Sequence, residues 1–299
     1  MTRLMLVGKI NDAGFQRAKK AAEFLAGQEL EGVPPHGVEV VGLLPTDYEA
    51  RVPLTLRHFA GRSLKVYHKG NVLALTAAAG GPGEAAAEEE ALSYLGGAPE
   101  FIAYVNDLVY YDDSRTHQVI YDRLAKIALR KYMEASRHSF VYLTFAVEGY
   151  VVGKVVLELF DDVCPQTCQN FKKLVMGVGG KGYKGTLLHR VVQDGWVQGG
   201  DVEEGTGTGG SDTVLPDETF AVKHDKPGML GMSGNGRHTA SSQFYITLRP
   251  LEWLDGKKVA FGRVIDGMRA LRYISRRCEL ENERPVKDCI IEDCGTFSV

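Results

Sequence analysis

The hydrophobic pattern opens on a short apolar run at residues 4–7, which suits a buried strand. Asn11 and Asp12 then offer caps for a helix over residues 13–25. On it Phe15, Ala18, Ala21 or Ala22, and Leu25 recur at three- and four-residue steps, making one apolar stripe. The stretch G-V-P-P-H-G at 32–37 breaks the chain. Residues 38–44 predict a second strand and residues 48–56 a helix interrupted by Pro53. Residues 64–68 and 72–75 flank Lys69-Gly70-Asn71, a hairpin signal, and the alanine- and glutamate-rich stretch 82–95 favours helix. Between 100 and 137 Phe101, Ile102 and Val105 form a short apolar patch. Asp113 or Ser114 can cap a further helix with Ile120, Leu124, Ile127 and Leu129 on its apolar face. Arg123, Lys126, Arg130, Lys131 and Arg137 decorate the other side, as a solvated face or as a contact for an acidic partner.

The pattern changes after residue 138. Residues 140–160 carry the clearest β signal, two runs of β-branched and aromatic residues meeting at Glu148-Gly149. Pro165 suits the first turn of a helix that turns Cys168, Phe171, Leu174 and Val175 inward. Residues 189–210 read H-R-V-V-Q-D-G-W-V-Q-G-G-D-V-E-E-G-T-G-T-G-G, a strand, a tight turn and a glycine-rich loop. By itself this describes many ordinary β-hairpins. Two more blocks follow it, K-P-G-M-L-G-M-S-G-N-G-R-H-T-A-S-S-Q-F-Y-I-T at 226–247 and E-W-L-D-G-K-K-V-A-F-G-R-V-I-D-G-M at 252–268.

In this order and spacing, the three blocks resemble the cyclophilin family of peptidyl-prolyl cis-trans isomerases over residues 136–299. Pro165, Thr167, Asn170 and Phe171 match that family's Pro-x-Thr-x-x-Asn-Phe pattern, and G-W-V-Q-G-G-D and E-N-E-R-P-V look most like the isomerase-like-six subfamily. The resemblance implies a closed eight-stranded antiparallel β-barrel capped by helices, and the subfamily implies a link to motile cilia. The first 98 residues, in the order β-α-β-α-β-β-α, resemble the α/β thioredoxin and glutaredoxin fold. That family places a cysteine before its first long helix. The matching loop here is Lys9-Ile10-Asn11-Asp12, and the N-terminal half holds no cysteine. Thiol–disulfide exchange needs a thiolate, so this domain is left with binding or docking. The expected organisation is therefore a thioredoxin-like domain at 1–98, a helical connector at 99–137 and a cyclophilin-like domain at 138–299.

Composition narrows the picture. With 44% hydrophobic and 24% charged residues and a net charge of -3, the chain is an ordinary globular one, with no reason to expect nucleic acid or a membrane surface as partner. No apolar run approaches the ~20 residues that span a bilayer, and the apolar start after Arg3 is too short for a secretory signal. The five cysteines, Cys164, Cys168, Cys278, Cys289 and Cys294, suggest reduced thiols and a cytoplasmic location. Cys164 and Cys168 have no nearby histidine to complete a ligand set, so neither metal nor cofactor is expected.

Rotation about an X-Pro bond breaks amide resonance, a barrier of ~18–20 kcal/mol. A catalyst needs no nucleophile; it must hold the ring, anchor the backbone and stabilise the pyramidal nitrogen of a twisted amide. A guanidinium, always charged and donating from a rigid fork, suits that last task. The resemblance assigns it to Arg190, with Gln198 hydrogen-bonding the substrate backbone. Gly207 and Gln243 would line the groove, with Trp253 and Leu254 at the pocket rim. Several positions depart from the family. Its Phe-Met pair is Gly195-Trp196, leaving a void unless Trp196 turns inward. A second pocket aromatic is Tyr245, whose hydroxyl needs a partner. Met-Ala-Asn becomes Met232-Ser233-Gly234 with Asn235 one step later, and a rim histidine becomes Lys258. The expected ligand is a proline-containing segment, isomerised at the family's usual rate or a weaker one, or held by a binding module without turnover. Residues 1–137 would carry a fixed protein partner.

Overall fold

The computed structural model describes residues 3–27, 37–50, 72–77, 92–109, 111, 113, 116–211 and 213–298. The chain divides into two compact units between Tyr132 and Met133.

In the N-terminal unit β1 (Arg3–Lys9), α1 (Ala13–Ala26), β2 (Gly37–Leu43), β3 (Val72–Ala77), β4 (Leu92–Gly96) and α2 (Ala98–Leu108) follow in order. The sheet order is β2-β1-β3-β4; β2 runs parallel to β1, while β3 is antiparallel to both β1 and β4. Asp12 caps α1 by accepting from the Phe15 amide at 2.9 Å. Strand alternation then splits the core. Leu4 and Leu6 join Phe15, Ala18, Ala22 and Leu25 of α1 and Phe101, Ile102 and Val105 of α2, whereas Val7 packs with Tyr48, Leu73 and Leu75.

Several local expectations shift. Helix begins at Pro45, a residue suited to a first turn, three positions before the expected start, and residues 51–56 lie outside the described set. The same holds for 64–71 of the expected hairpin and for 82–91 of the expected helix. The end of that helix is instead β4, because pairing with β3 overrides helix propensity. Asp113 does not cap the next helix. Its carboxylate accepts from Arg17 at 2.5 and 2.7 Å and from the Tyr121 hydroxyl at 2.9 Å, and α3 (Gln118–Ala135) starts five residues later. On α3 the buried stripe is Tyr121, Ala125 and Leu129; Ile120 and Ile127 are each 46% exposed.

The C-terminal unit is a curled antiparallel sheet of eight strands: β5 (Ser139–Val147), β6 (Tyr150–Leu159), β7 (Arg190–Val192), β8 (Trp196–Gly199), β9 (Met229–Met232), β10 (Phe244–Thr247), β11 (Ala260–Asp266) and β14 (Cys289–Thr296). Their order is β14-β5-β6-β11-β9-β10-β8-β7. Full barrel closure was the expectation. The ends of the curl meet through a short stitch, not a strand ladder: the amides of Gly185 and Leu188 donate to Ile291 and Cys289, and that of Ile291 donates to Thr186, at 2.7–2.9 Å. A small hairpin, β12 (Leu280–Glu281) and β13 (Arg284–Pro285), stands beside β7.

Helix α4 (Pro165–Val175) packs against β11 and β14, and α5 (Met268–Arg277) against β6 and β8. Under α4, Phe171, Tyr183, Phe244 and Phe261 form an aromatic centre with ring centroids 5.0–5.4 Å apart. Glu218 closes the N-terminus of α4, accepting from the Gln166 and Thr167 amides at 3.0 and 2.9 Å. The buried thiols of Cys164 and Cys168 donate to the Ala260 and Phe261 carbonyls at 3.6 and 3.5 Å, and burial raises the pKa of both.

Candidate functional site

One row across four strands assembles the site. Arg190 on β7 faces Gln198 on β8, Gln198 faces Tyr245 on β10, and Tyr245 faces Gly231 on β9. Opposed residues of antiparallel strands share a face, and alternation adds Trp196 beside Gln198 and Gln243 beside Tyr245.

One side of this row is a polar wall. Gln198 donates to Ser233 Oγ at 3.0 Å and to Gln243 Oε1 at 3.1 Å; Gln243 donates to the carbonyls of Gly207 and Gly209 at 2.9 and 2.7 Å. Beneath the glycine-rich loop the buried Asp201 carboxylate accepts from the amides of Glu203, Glu204, Gly207 and Gly209 at 2.8–3.2 Å. Burial pushes its pKa up, but those backbone donors win and hold it below the usual range. Gly207 has φ +94°, and a Cβ there would lie 2.7 Å from Cδ2 of His189. His189 is buried under the loop, where desolvation lowers its pKa against the pull of Asp201. Gln243 lies close enough to favour the protonated ring, yet neither ring nitrogen makes a hydrogen bond, since Gln243 commits its amide to the loop.

The other side is an aromatic floor. Trp196 turns inward and packs on Tyr245, Leu251 and Leu254. Its indole N–H points at Gln198 Oε1, 3.4 Å away, and its ring centroid is 6.1 Å from that of Trp253, which is 55% exposed on the turn Glu252–Leu254. Gly195 belongs to the tight turn that permits this; a Cβ there would sit 2.9 Å from Val192 Cγ1. Tyr245 lies over Gly231, where a Cβ would fall 2.3 Å from the phenol oxygen. The Tyr245 hydroxyl meets His224 Nε2 at 2.7 Å, and His224 Nδ1 meets Asp255 at 2.9 Å. Burial raises the Tyr245 pKa strongly, so the phenol keeps its proton, and Asp255, an acceptor only, takes its bond from His224 Nδ1–H. Asp255 is raised by desolvation but lowered further by the backbone and side chain of His224.

The structure brings Arg190, Trp196, Gln198, Gly207, Ser233, Gln243, Tyr245, Trp253 and Leu254 together around this row. Lys258 does not stand free at the rim: its ammonium donates to the Gly234 carbonyl, and burial lowers its pKa despite Asp217. It braces the turn in which Gly234 is required, since a Cβ there would meet Thr239 Oγ1 at 2.8 Å. Asn235 is exposed beyond it. Sequence reasoning missed Glu283, His224, Asp201 and Gly231. Arg190 donates from Nε to Glu283 at 2.7 Å, and its guanidinium lies 5.0 Å above the Trp196 ring. Among the described residues, no three His, Cys, Asp or Glu side chains are grouped to hold a metal ion.

Known proteins resemble this chain. It is 41% identical over 186 residues to proteins of Bos taurus and Homo sapiens that are both named "Probable inactive peptidyl-prolyl cis-trans isomerase-like 6". The match covers 59% of this chain and 60% of each relative, and the Mus musculus protein of that name is 41% identical over 188 residues. The chain thus spans about 60% of the length of the curated relatives it matches. The family described as "Cyclophilin type peptidyl-prolyl cis-trans isomerase/CLD" matches residues 142–296, more than half of the sequence, and the chain belongs to that family.

Proposed function

We propose that the C-terminal unit binds X-Pro segments of peptides or proteins along the Arg190–Gln198–Tyr245 row and isomerises them slowly, without a cofactor. The observation that carries this is the placement of Arg190 on the same face as Gln198 and Tyr245. There its guanidinium can donate to the amide nitrogen as it turns pyramidal, the charge that develops only in the transition state. The altered floor supports a low rate. The indole of Trp196, packed on Tyr245, Leu251 and Leu254, replaces the smaller side chain that the resemblance places there, and Glu283 already engages Arg190.

A second reading, docking of a proline-containing segment without turnover, is favoured by the same Trp196 ring and agrees with the names of the relatives. Exchange NMR on proline peptides separates the two. Acceleration lost in Arg190→Ala establishes isomerisation; no acceleration across varied residues before proline, from folded protein, leaves docking.

For the N-terminal unit we infer a thioredoxin-like docking domain held by a fixed partner. The order β2-β1-β3-β4 with a single parallel pair supports it, and an experimental structure with β3 parallel to β1 would overturn it. We place the protein in a reducing compartment, the cytoplasm or a ciliary axoneme, which agrees with five free thiols. Imaging of the tagged protein in a secretory organelle would refute that placement.

A further inference from the structure

The hairpin β12–β13 turns through Asn282 and Glu283, whose φ angles are +47° and +64°. Positive φ at both central residues marks a two-residue turn for which Asn-Gly is the favoured pair, because a side chain at the second position is strained. The other two-residue hairpin of this unit, between β5 and β6, obeys that rule with Glu148 followed by Gly149. Position 283 breaks it with a glutamate, and the carboxylate that results reaches Arg190 Nε at 2.7 Å. Other bonds fix the hairpin at this spot. The Val191 amide donates to the Glu283 carbonyl at 2.6 Å, and Arg284 donates to the Gly205 carbonyl of the glycine-rich loop at 3.3 Å. A residue held in an unfavourable backbone conformation, with its charge against the one group suited to stabilise the transition state, points to function.

We propose that Glu283 is a positioning residue that acts through Arg190 as a brake. It fixes the guanidinium over Trp196 and offsets the positive charge that the twisted amide nitrogen must feel. This rests on the isomerase reading given above. Both side chains are 46% exposed, so the restraint is that of a surface ion pair, modest and sensitive to salt.

The test measures isomerisation of an X-Pro peptide series by exchange NMR with the full chain and with Glu283→Gln, Glu283→Gly and Arg190→Ala. Glu283→Gln should raise kcat by about three- to fivefold with little change in KM, the range that a surface ion pair allows. Glu283→Gly should match it and, by restoring Asn-Gly, unfold at a higher temperature, which guards against a folding artefact. Added salt should speed the wild type toward the variants while leaving the variants flat. Both gains should vanish when Arg190→Ala is added. An Arg190-dependent wild-type rate that is unchanged or lower in both Glu283 variants overturns the brake and leaves the isomerase reading standing. Absence of turnover in the wild type and in every variant overturns both.

Discussion

The two sides of the site are built on different principles. The polar wall is a set of hydrogen bonds gathered on the glycine-rich loop, from Gln198 through Gln243 to the loop carbonyls and from the loop amides to Asp201. The aromatic floor is a set of rings in which Trp196, Tyr245 and Trp253 meet edges and faces. A directional network tolerates little substitution, because each missing partner strands a buried group. A floor of rings can be repacked at constant volume. In the wall Arg190, Gln198 and Gln243 match the family resemblance and Ser233, which accepts from Gln198, departs from it, while the floor carries the departures at Gly195, Trp196 and Tyr245.

The largest test of this contrast is Asp201→Ala, which strands four loop amides. It should cost about 3 kcal/mol by urea unfolding, given the worth of hydrogen bonds to a charged group; a loss below about 1 kcal/mol would show that the loop holds itself. Next comes Trp196→Met, which clears the floor and takes from the wall only the long indole contact to Gln198. We expect the isomerisation rate to rise about tenfold, or ~1.4 kcal/mol off the barrier. A fall would make the indole part of the binding surface. Tyr245→Phe should lower stability by ~1 kcal/mol by stranding His224 Nε2, with turnover unchanged within about twofold. Full stability in that variant would mean the phenol and imidazole do not pair.

The smallest effect is one of pH. His189 has a native pKa below its usual ~6.5, so between the two values the unfolded chain binds the extra proton. Its contribution is complete above about pH 6.5 and is lost as the pH falls toward the native pKa, at no more than ~1.4 kcal/mol per pH unit. His138 works the other way. Desolvation opposes its charge, but bonds to Glu158 and Asp162 raise its pKa, so it stabilises below about pH 6.5 and stops as the pH rises through the raised value. Thermal unfolding from pH 5 to 8 should lose its acid limb in His189→Gln and its alkaline limb in His138→Gln. Unaltered profiles would remove both histidines from the account.

Arg190, Gln198 and Gln243 were named in the sequence through the family resemblance, and the register of β7 against β8 sets Arg190 and Gln198 on one face. Asp201, which ties down the loop, was not named, because its four backbone partners lie in the irregular loop. The need for a partner to the Tyr245 hydroxyl was also legible; that the partner is His224 was not, since a turn carries it under the pocket. The direction of Trp196 depends on Leu251 and Leu254, and the Arg190–Glu283 pair spans 93 positions, so local pattern holds neither. On α3 both Ile120/Ile127 and Tyr121/Ala125/Leu129 make helical stripes, and periodicity cannot say which is covered.

The stitch that joins the ends of the curled sheet also dictates when the fold can be finished. Strand β14 pairs with β5 along its length and supplies the partners for residues 185–188. Tyr142 and Asp293, bonded at 2.8 Å, lie 151 positions apart. On a ribosome, the first strand of this unit must wait with an unpaired edge until its last strand has been synthesised, an exposure that invites pairing with other chains. A nascent chain stalled before residue 289 should therefore hold its other seven strands open and depend on a chaperone to cover β5 until translation resumes.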